Sequence, residues 1–287
     1  MLLTLNRTKF KSKFPIVFRL TRLIYIASLK IKYPLDYLVF LHHMLMNKPY
    51  FGPVMIAGIT WSERKDFMEK TIVQLVNKSK ANTLNVLEVG SWAGGSATLW
   101  AKTIEQMNTK GFVFCVDSWL PFDSPDKDKG ISKETLLSMN KYFKNDKVFK
   151  LFNHNVRSLG FEKIIKPLRG SSFEILTLLK DKSLNMVYID GSHIYSQVIN
   201  DLKLSGRLIV EGGFICGDDC EMQLHEVDKE YAITHKEEDF IEDIKTKKLF
   251  HPGVAVALDE FFSTEVSCYK GYWIMEKTAS GWKQVTL

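Results

Sequence analysis

The stretch VLEVGSWAGGSATLW, Val86 to Trp100, passes from apolar residues into an acid, then a glycine-bearing turn, then a segment able to form a helix. Strand, glycine turn and helix bring backbone N–H groups close to a ligand. Gly90, Gly94 and Gly95 give G-x-x-x-G-G, where a diphosphate cradle commonly has G-x-G-x-x-G, and Glu88 precedes the first glycine. A fixed carboxylate at that strand end repels a diphosphate and favours a cationic group, directly or through water.

S-adenosylmethionine carries an ammonium and a sulfonium but no phosphate, and its carboxylate can use the free N–H groups of the turn and helix start. Asp117, 27 residues after Gly90 and at the end of the next apolar run in CVDSW, is positioned to accept from both ribose hydroxyls. RGSS, Arg169 to Ser172, follows a third strand, near where an adenine would lie, and reads equally as a serine cap. The cofactor set expected from these positions is Glu88, Gly90, Ser91, Gly94, Ser96, Asp117, Ser118, Ser171, Ser172 and Asp190. A bland alternative stands beside it: glycines that only permit a tight turn, and an Asp117 that only caps a helix.

YIDGSHIYSQVINDL sets Asp190 at a fourth strand end, and EGGFICGDDC sets Asp218 and Asp219 at a fifth. Neighbouring strands would bring the three carboxylates to one rim, where they repel unless something cationic sits between them. Hard oxygen donors suit Mg²⁺, Mn²⁺ or Ca²⁺ rather than zinc. Such an ion would lower the pKa of a substrate hydroxyl. Otherwise Asp190 is a cap or cofactor contact and the other two are turn residues. His193 and His251 are the candidate general bases. His193 reads also as a cofactor-facing or capping residue, and His251 as one ordering a Pro-started helix. Trp119 and Phe122 could stack on a sugar face, or simply pack.

Elements able to hold these residues follow from the hydrophobic pattern. Helices are predicted over Ser62–Val76, Ser96–Met107, Glu134–Arg157, Ser172–Lys180 and Ile194–Leu208. Strands are predicted over Asn85–Val89, Phe112–Val116, Ile164–Leu168, Asn185–Asp190 and Gly213–Asp218. Alternation of this kind implies a doubly wound, mostly parallel α/β sheet with ligands at the carboxyl strand ends. CYKGYWIMEK and GWKQVTL read as strands adding an antiparallel C-terminal edge. Leu120 to Lys133 is a polar loop where a lid would be.

Charge is uneven along the 287 residues: the first 48 hold nine Lys or Arg against one acid, Asp36, leaving 30 basic and 32 acidic residues in the remainder. The whole-chain basicity therefore does not support a nucleic-acid partner. Residues 1–60 are expected to be a helical basic extension and 61–287 the main domain. The longest uncharged stretch of the extension, Tyr37 to Asn47, falls well short of the roughly 20 residues of a spanning helix. No signal-peptide pattern is present. Two readings stay open for this segment, packing on the domain or a partner subunit, and peripheral contact with anionic membrane. Cys115, Cys216, Cys220 and Cys268 form no CxxC pair, which points to a reducing, cytoplasmic compartment. A homo-oligomer is left open.

With those residues in hand, the chain resembles the class I S-adenosylmethionine-dependent methyltransferases over roughly Trp61 to Lys277, through EVGSWAGGSA, CVDSW, RGSS, DGSHIYSQVINDL and GGFICGDD. Within them it looks closest to the macrolide and aminocoumarin sugar O-methyltransferases and cephalosporin-biosynthesis methyltransferase-like proteins. The resemblance implies a Rossmann-like, seven-stranded sheet with a reversed last strand. It implies a metal held by Asp190, Asp218 and Asp219, and methyl transfer to oxygen, often on a sugar. The expected function is O-methylation of a saccharide or glycoconjugate hydroxyl, with Mg²⁺ or Mn²⁺ assistance. Alternatives are methylation of a catechol-like phenol, a nicotinamide-dependent oxidoreductase, and a membrane-associated scaffold without chemistry.

Overall fold

Apolar runs bounded by helical segments form strands buried on both faces, as a sheet covered by two helical layers requires. The computed structural model describes residues 34–56, 62–78, 83–121 and 139–287. A first helix, α1, spans 34–45. There follow α2 (Ser62–Lys78), β1 (Thr83–Val89), α3 (Gly95–Gln106), β2 (Lys110–Asp117), α4 (Lys147–Ser158), β3 (Ile165–Arg169) and α5 (Ser172–Leu178). Then come β4 (Leu184–Ile189), α6 (Tyr195–Leu208), β5 (Ile209–Cys220), α7 (Lys229–Thr234), β6 (Ile241–Glu242), β7 (Leu249–Phe250) and α8 (Pro252–Phe262). The last three strands are β8 (Ser267–Tyr269), β9 (Gly271–Thr278) and β10 (Gly281–Gln284).

The main sheet runs β10-β9-β5-β4-β1-β2-β3. Neighbours from β3 to β5 are parallel, and β9 is antiparallel to both β5 and β10. This is the doubly wound α/β sheet with an antiparallel edge that the alternation implied. An eighth strand, β8, lies off the seven-strand path: it pairs with Tyr272–Trp273–Ile274 of β9, while β10 pairs further along, from Met275 to Thr278. Two short strands thus share one edge of β9.

Helices α2, α3 and α4 cover one face around Ile72, Trp100 and Phe152, and α5, α6 and α8 cover the other around Leu176, Leu202 and Leu258. Burying each such side chain contributes about 1.5–3 kcal/mol, enough to hold the strand ends in fixed register.

The helix predicted over Glu134–Arg157 is not continuous. Its first residues, 134–138, lie outside the described ones, and beyond 139–143 the backbone breaks at Asn145 and Asp146, with φ of 60° and 55°. Asn and Asp tolerate the left-handed region better than other side-chain-bearing residues, so helix periodicity alone misses the break. Of the N-terminal extension, residues 1–33 and 57–61 fall outside the described residues, as does Phe122. Among the described residues no helix is long and apolar enough to cross a membrane.

Candidate functional site

The glycine turn after β1 is built by hydrogen bonds to backbone. Gly90 N–H donates to the Val116 carbonyl at 2.9 Å, which ties the end of β1 to β2. Gly90 has φ 88°, and a Cβ there would lie 2.0 Å from the Asp190 carbonyl oxygen, so only glycine lets these two strand ends approach. Gly94, φ 83°, begins α3 with no side chain capping it, leaving the first N–H groups of the helix for a ligand.

Asp117 locks this turn. Its Oδ2 accepts from Trp92 N–H at 2.9 Å and its Oδ1 from Trp119 N–H at 2.7 Å. Burial raises its pKa, against the pull of those amides. Trp92 and Trp119 both stand at positive φ, 44° and 48°, and bulky residues keep that conformation only where their surroundings impose it. The Trp119 indole donates to the Trp92 carbonyl at 2.8 Å. Trp119 is 1% exposed and packs on Phe149 and Phe152, so it is not the sugar-stacking surface its position suggested.

Glu88 lies beneath the turn, not on its open side: it is fully buried, and its Oε2 accepts from the Trp100 indole at 2.9 Å. Burial, reinforced by the charge of Asp190, pushes its pKa up to about 8. Glu88 Oε1 and Ser91 Oγ are buried and poorly satisfied, with only the Ser91 and Ser96 hydroxyls and the Trp100 indole beside the carboxyl group. Such polar atoms below a glycine turn are unusual unless a bound group or water completes them. Ser96 is buried beside them, and Ser118 Oγ accepts from Leu120 N–H at 3.2 Å. Ser171 caps α5 in a reciprocal box with Glu174, and Ser172 hydrogen-bonds Asp201. The capping reading of RGSS is thus realised for Ser171, and its exposed position at the β3 end is kept.

The second half of the rim is built from charged side chains. Asp190, Asp218 and Asp219 bring carboxylate oxygens within 4.8 Å of one another. Asp218 and Asp219 sit where the β5–β9 register shifts between Gly217 and Cys220, and Asp219 has φ 62°. This bulge turns two consecutive acids toward one rim, where a regular strand would send them to opposite faces. Arg64, from the first turn of α2, pairs closely with Asp218 and stands 4.0 Å from Asp219. His193 completes the balance: its Nε2 is 3.0 Å from Asp219 and its Nδ1 2.6 Å from Asp239. Burial would lower the His193 pKa, but the two carboxylates overcome it and hold the group well above the usual histidine range. Burial likewise opposes ionisation of Asp219, yet His193 and the other cations hold it below the usual carboxylate range. For Asp190, burial and the Asp219 charge push the pKa up to about 7. Tyr188 donates to Asp190 at 3.2 Å.

His251 stands at the N-cap position of α8, but its side chain makes no capping hydrogen bond there. Its ring faces the acids: Nδ1 is 3.0 Å from Glu221, and the ring lies 4.3 Å from that of His193. Arg64, Asp239 and Glu221 were missed by sequence reasoning. Arg64 lies in a charged helix start, SERKD, that resembles any solvated turn, and Asp239 sits in the acidic run EED. Nothing in the local pattern separates them from surface residues.

Residues 87–220 match the family model described as a methyltransferase domain. That match covers just under half of the chain. A curated relative, "Uncharacterized protein R132" of Acanthamoeba polyphaga mimivirus, is 27% identical over 148 residues, half of this chain and 55% of that protein. The chain thus matches about half the length of that relative. Among solved structures, the O-methyltransferase NovP superposes with a TM-score of 0.53 at 15% identity, covering 75% of this chain and 80% of NovP. Cofactor-bound Rv0187 from MTB gives 0.46 at 12% identity, covering 86% and 85%. The NovP likeness shows that this methyltransferase domain has the fold of such enzymes.

Proposed function

We propose that the protein transfers a methyl group from S-adenosylmethionine to a hydroxyl oxygen of a saccharide or glycoconjugate, assisted by a divalent cation. The observation that carries this reading is the close approach of Gly90 to the Asp190 backbone, which joins the glycine turn and the three aspartates into one rim. A methyl donor on the turn and an acceptor at the acids would be adjacent, and a direct displacement needs chiefly that alignment. Fit to the cofactor is supported by the uncapped α3 start and the cradle at Gly90 that a Cβ would fill.

Three carboxylates within 4.8 Å fit a hard cation such as Mg²⁺ or Mn²⁺ in donor chemistry. Arg64 pairs with Asp218, so an ion would compete with its guanidinium for that carboxylate. A bound ion would supply Lewis acidity that lowers the pKa of an acceptor hydroxyl.

Proton removal falls to His251. A carboxylate only accepts, so His193, with a carboxylate on each ring nitrogen, carries both hydrogens and has no lone pair to offer. In His251 the Glu221 contact fixes the hydrogen on Nδ1 and leaves Nε2 as the accepting atom. A sugar hydroxyl is far less acidic than a phenol, and a base beside a charge-dense rim suits that harder substrate. The resemblance of the sequence motifs to the sugar O-methyltransferases supports the same acceptor class, and NovP, which shares the fold, is an O-methyltransferase.

Calorimetric titration with S-adenosylhomocysteine, with and without Mg²⁺, tests the cofactor; labelled methyl transfer to sugar and phenol panels tests the acceptor. Binding with incorporation into sugars is the expected result. Binding with incorporation only into phenols replaces the acceptor, and no binding under either condition removes the reading.

A further inference from the structure

Helix α1 is apolar on both of its sides. On the inner side Phe40 meets the Tyr50 ring edge-on at 5.2 Å, His43 bonds the Pro49 carbonyl at 2.7 Å, and Met44 packs on the cluster of Tyr50, Met55, Ala93 and Leu151. On the outer side Leu35, Leu38 and Leu45 share one face and are 57%, 61% and 84% exposed. Seven of the fifteen large hydrophobics exposed among the described residues fall between Leu35 and Met46. A helix with large apolar residues on two sides is normally covered on both. This one is covered on its inner side only, and it is too short to span a bilayer.

Charge identifies what covers the other side. The first 48 residues hold nine Lys or Arg and one acid, whereas the rest of the chain holds 30 basic and 32 acidic residues. We propose that the outer face of α1 lies in the surface of an anionic membrane, to which the basic charge of the N-terminal sequence draws it. A second copy would satisfy the apolar face but set two strongly basic segments against each other. A nucleic acid would satisfy the cations and leave the leucines in water. Anionic lipid supplies both partners, hydrocarbon for Leu35, Leu38 and Leu45 and negative charge for the lysines and arginines.

The anchor is joined to the cofactor rim. Asn155 Oδ1 accepts from Tyr50 N–H at 2.8 Å, while its Nδ2 donates to the Ala93 carbonyl at 2.9 Å inside the glycine turn. The Trp92 indole donates to the Met55 carbonyl at 3.0 Å. A protein docked through α1 is therefore held at the membrane by the side of the domain that carries the turn. This holds whatever the acceptor is.

Flotation of the full-length protein with phosphatidylcholine vesicles, with and without phosphatidylserine, tests the proposal. The expected result is flotation only with phosphatidylserine, weakened by salt, and reduced roughly tenfold or more in a Leu38→Glu, Leu45→Glu double variant. Far-UV circular dichroism and S-adenosylhomocysteine binding check that the variant is folded; a Leu35→Ser, Leu45→Ser pair replaces it if it is not. Equal flotation with both vesicle types, or full flotation of the folded variant, overturns the proposal. So does absence of flotation, and a wild-type dimer in light scattering would then assign the face to a second copy.

Discussion

The two halves of the rim are built from different materials. At the ends of β1 and β2 the turn is held through its own backbone groups: Gly90 N–H donates to the Val116 carbonyl, and the Trp92 and Trp119 N–H groups donate to the Asp117 carboxylate. At the ends of β4 and β5 the acids are held by side-chain charge, from Arg64 on α2, His193 before α6, and Asp239 between α7 and β6. Backbone partners make a rigid cradle that keeps its shape whether or not it is filled. Charged partners make a site whose shape depends on which cation occupies it.

The largest effect is expected where that charge balance is removed. Arg64→Ala leaves Asp218 and Asp219 without their guanidinium in a mostly buried setting, and losing one partner of a buried pair costs about 3–5 kcal/mol. Thermal denaturation in EDTA should show a large drop in Tm, and added Mg²⁺ or Mn²⁺ should restore much of it as the ion takes the place of Arg64. A drop that no divalent ion relieves would mean that the acids are a purely internal ion-pair network, and the metal part of the proposed function would go. The backbone-built half should be indifferent to the same ions.

Gly90→Ala probes the seam between the halves. The added Cβ meets the Asp190 carbonyl at 2.0 Å in a left-handed backbone, so strain and overpacking together should cost about 2–4 kcal/mol. Affinity for S-adenosylhomocysteine should fall with it. Unchanged affinity in calorimetry would show that the cradle does not hold the cofactor.

The same contrast explains what could be read from the chain before its structure was known. VLEVGSWAGG and CVDSW were legible because strand, turn and acid are contiguous, and the rules for parallel sheets place their ends side by side. Asp190, Asp218 and Asp219 were legible for the same reason. The positive charge that the chain itself sets beside them was not: the Arg64 guanidinium comes from a distant helix start, and His193 lies between two carboxylates. Glu88 was placed on the correct strand end but not at the correct depth, because strand alternation is lost in a sheet buried on both faces. Trp119 looked available beyond β2, and only the tertiary contacts with Phe149 and Phe152 close it off.

A smaller effect is expected at Asp117. Asp117→Asn keeps the shape but turns one oxygen into an N–H-bearing group facing the Trp92 or Trp119 amide, and one broken buried hydrogen bond costs about 1–3 kcal/mol. Cofactor affinity should fall roughly 10–100-fold, while the response to Mg²⁺ of the acidic half stays as in the wild type. Loss of the Mg²⁺ response as well would mean that the halves are coupled, and that the division between backbone-built and charge-built parts is too sharp.

Asp201, on α6 away from both halves, measures what a buried carboxylate costs when no cation answers it. It is 4% exposed, receives only a hydrogen bond from Ser172, and burial pushes its pKa up to about 6. Below the unfolded-state pKa, about 3.9, both states hold the proton and nothing is lost. Between there and about 6 the folded state binds more protons than the unfolded one, so stability falls as pH rises, and the loss is complete above about 6. A two-unit shift corresponds to about 3 kcal/mol. Asp201→Asn, whose amide must still find partners, should recover about 1–2 kcal/mol at pH 8 and nothing near pH 4, read from denaturant titrations at the two pH values. The sign is opposite to that expected at the rim, where neutralising a carboxylate strips a partner from Arg64 or His193. If Asp201→Asn were destabilising at pH 8, burial without a cation would not be costly in this fold, and Arg64 would no longer be needed to account for three acids at one edge.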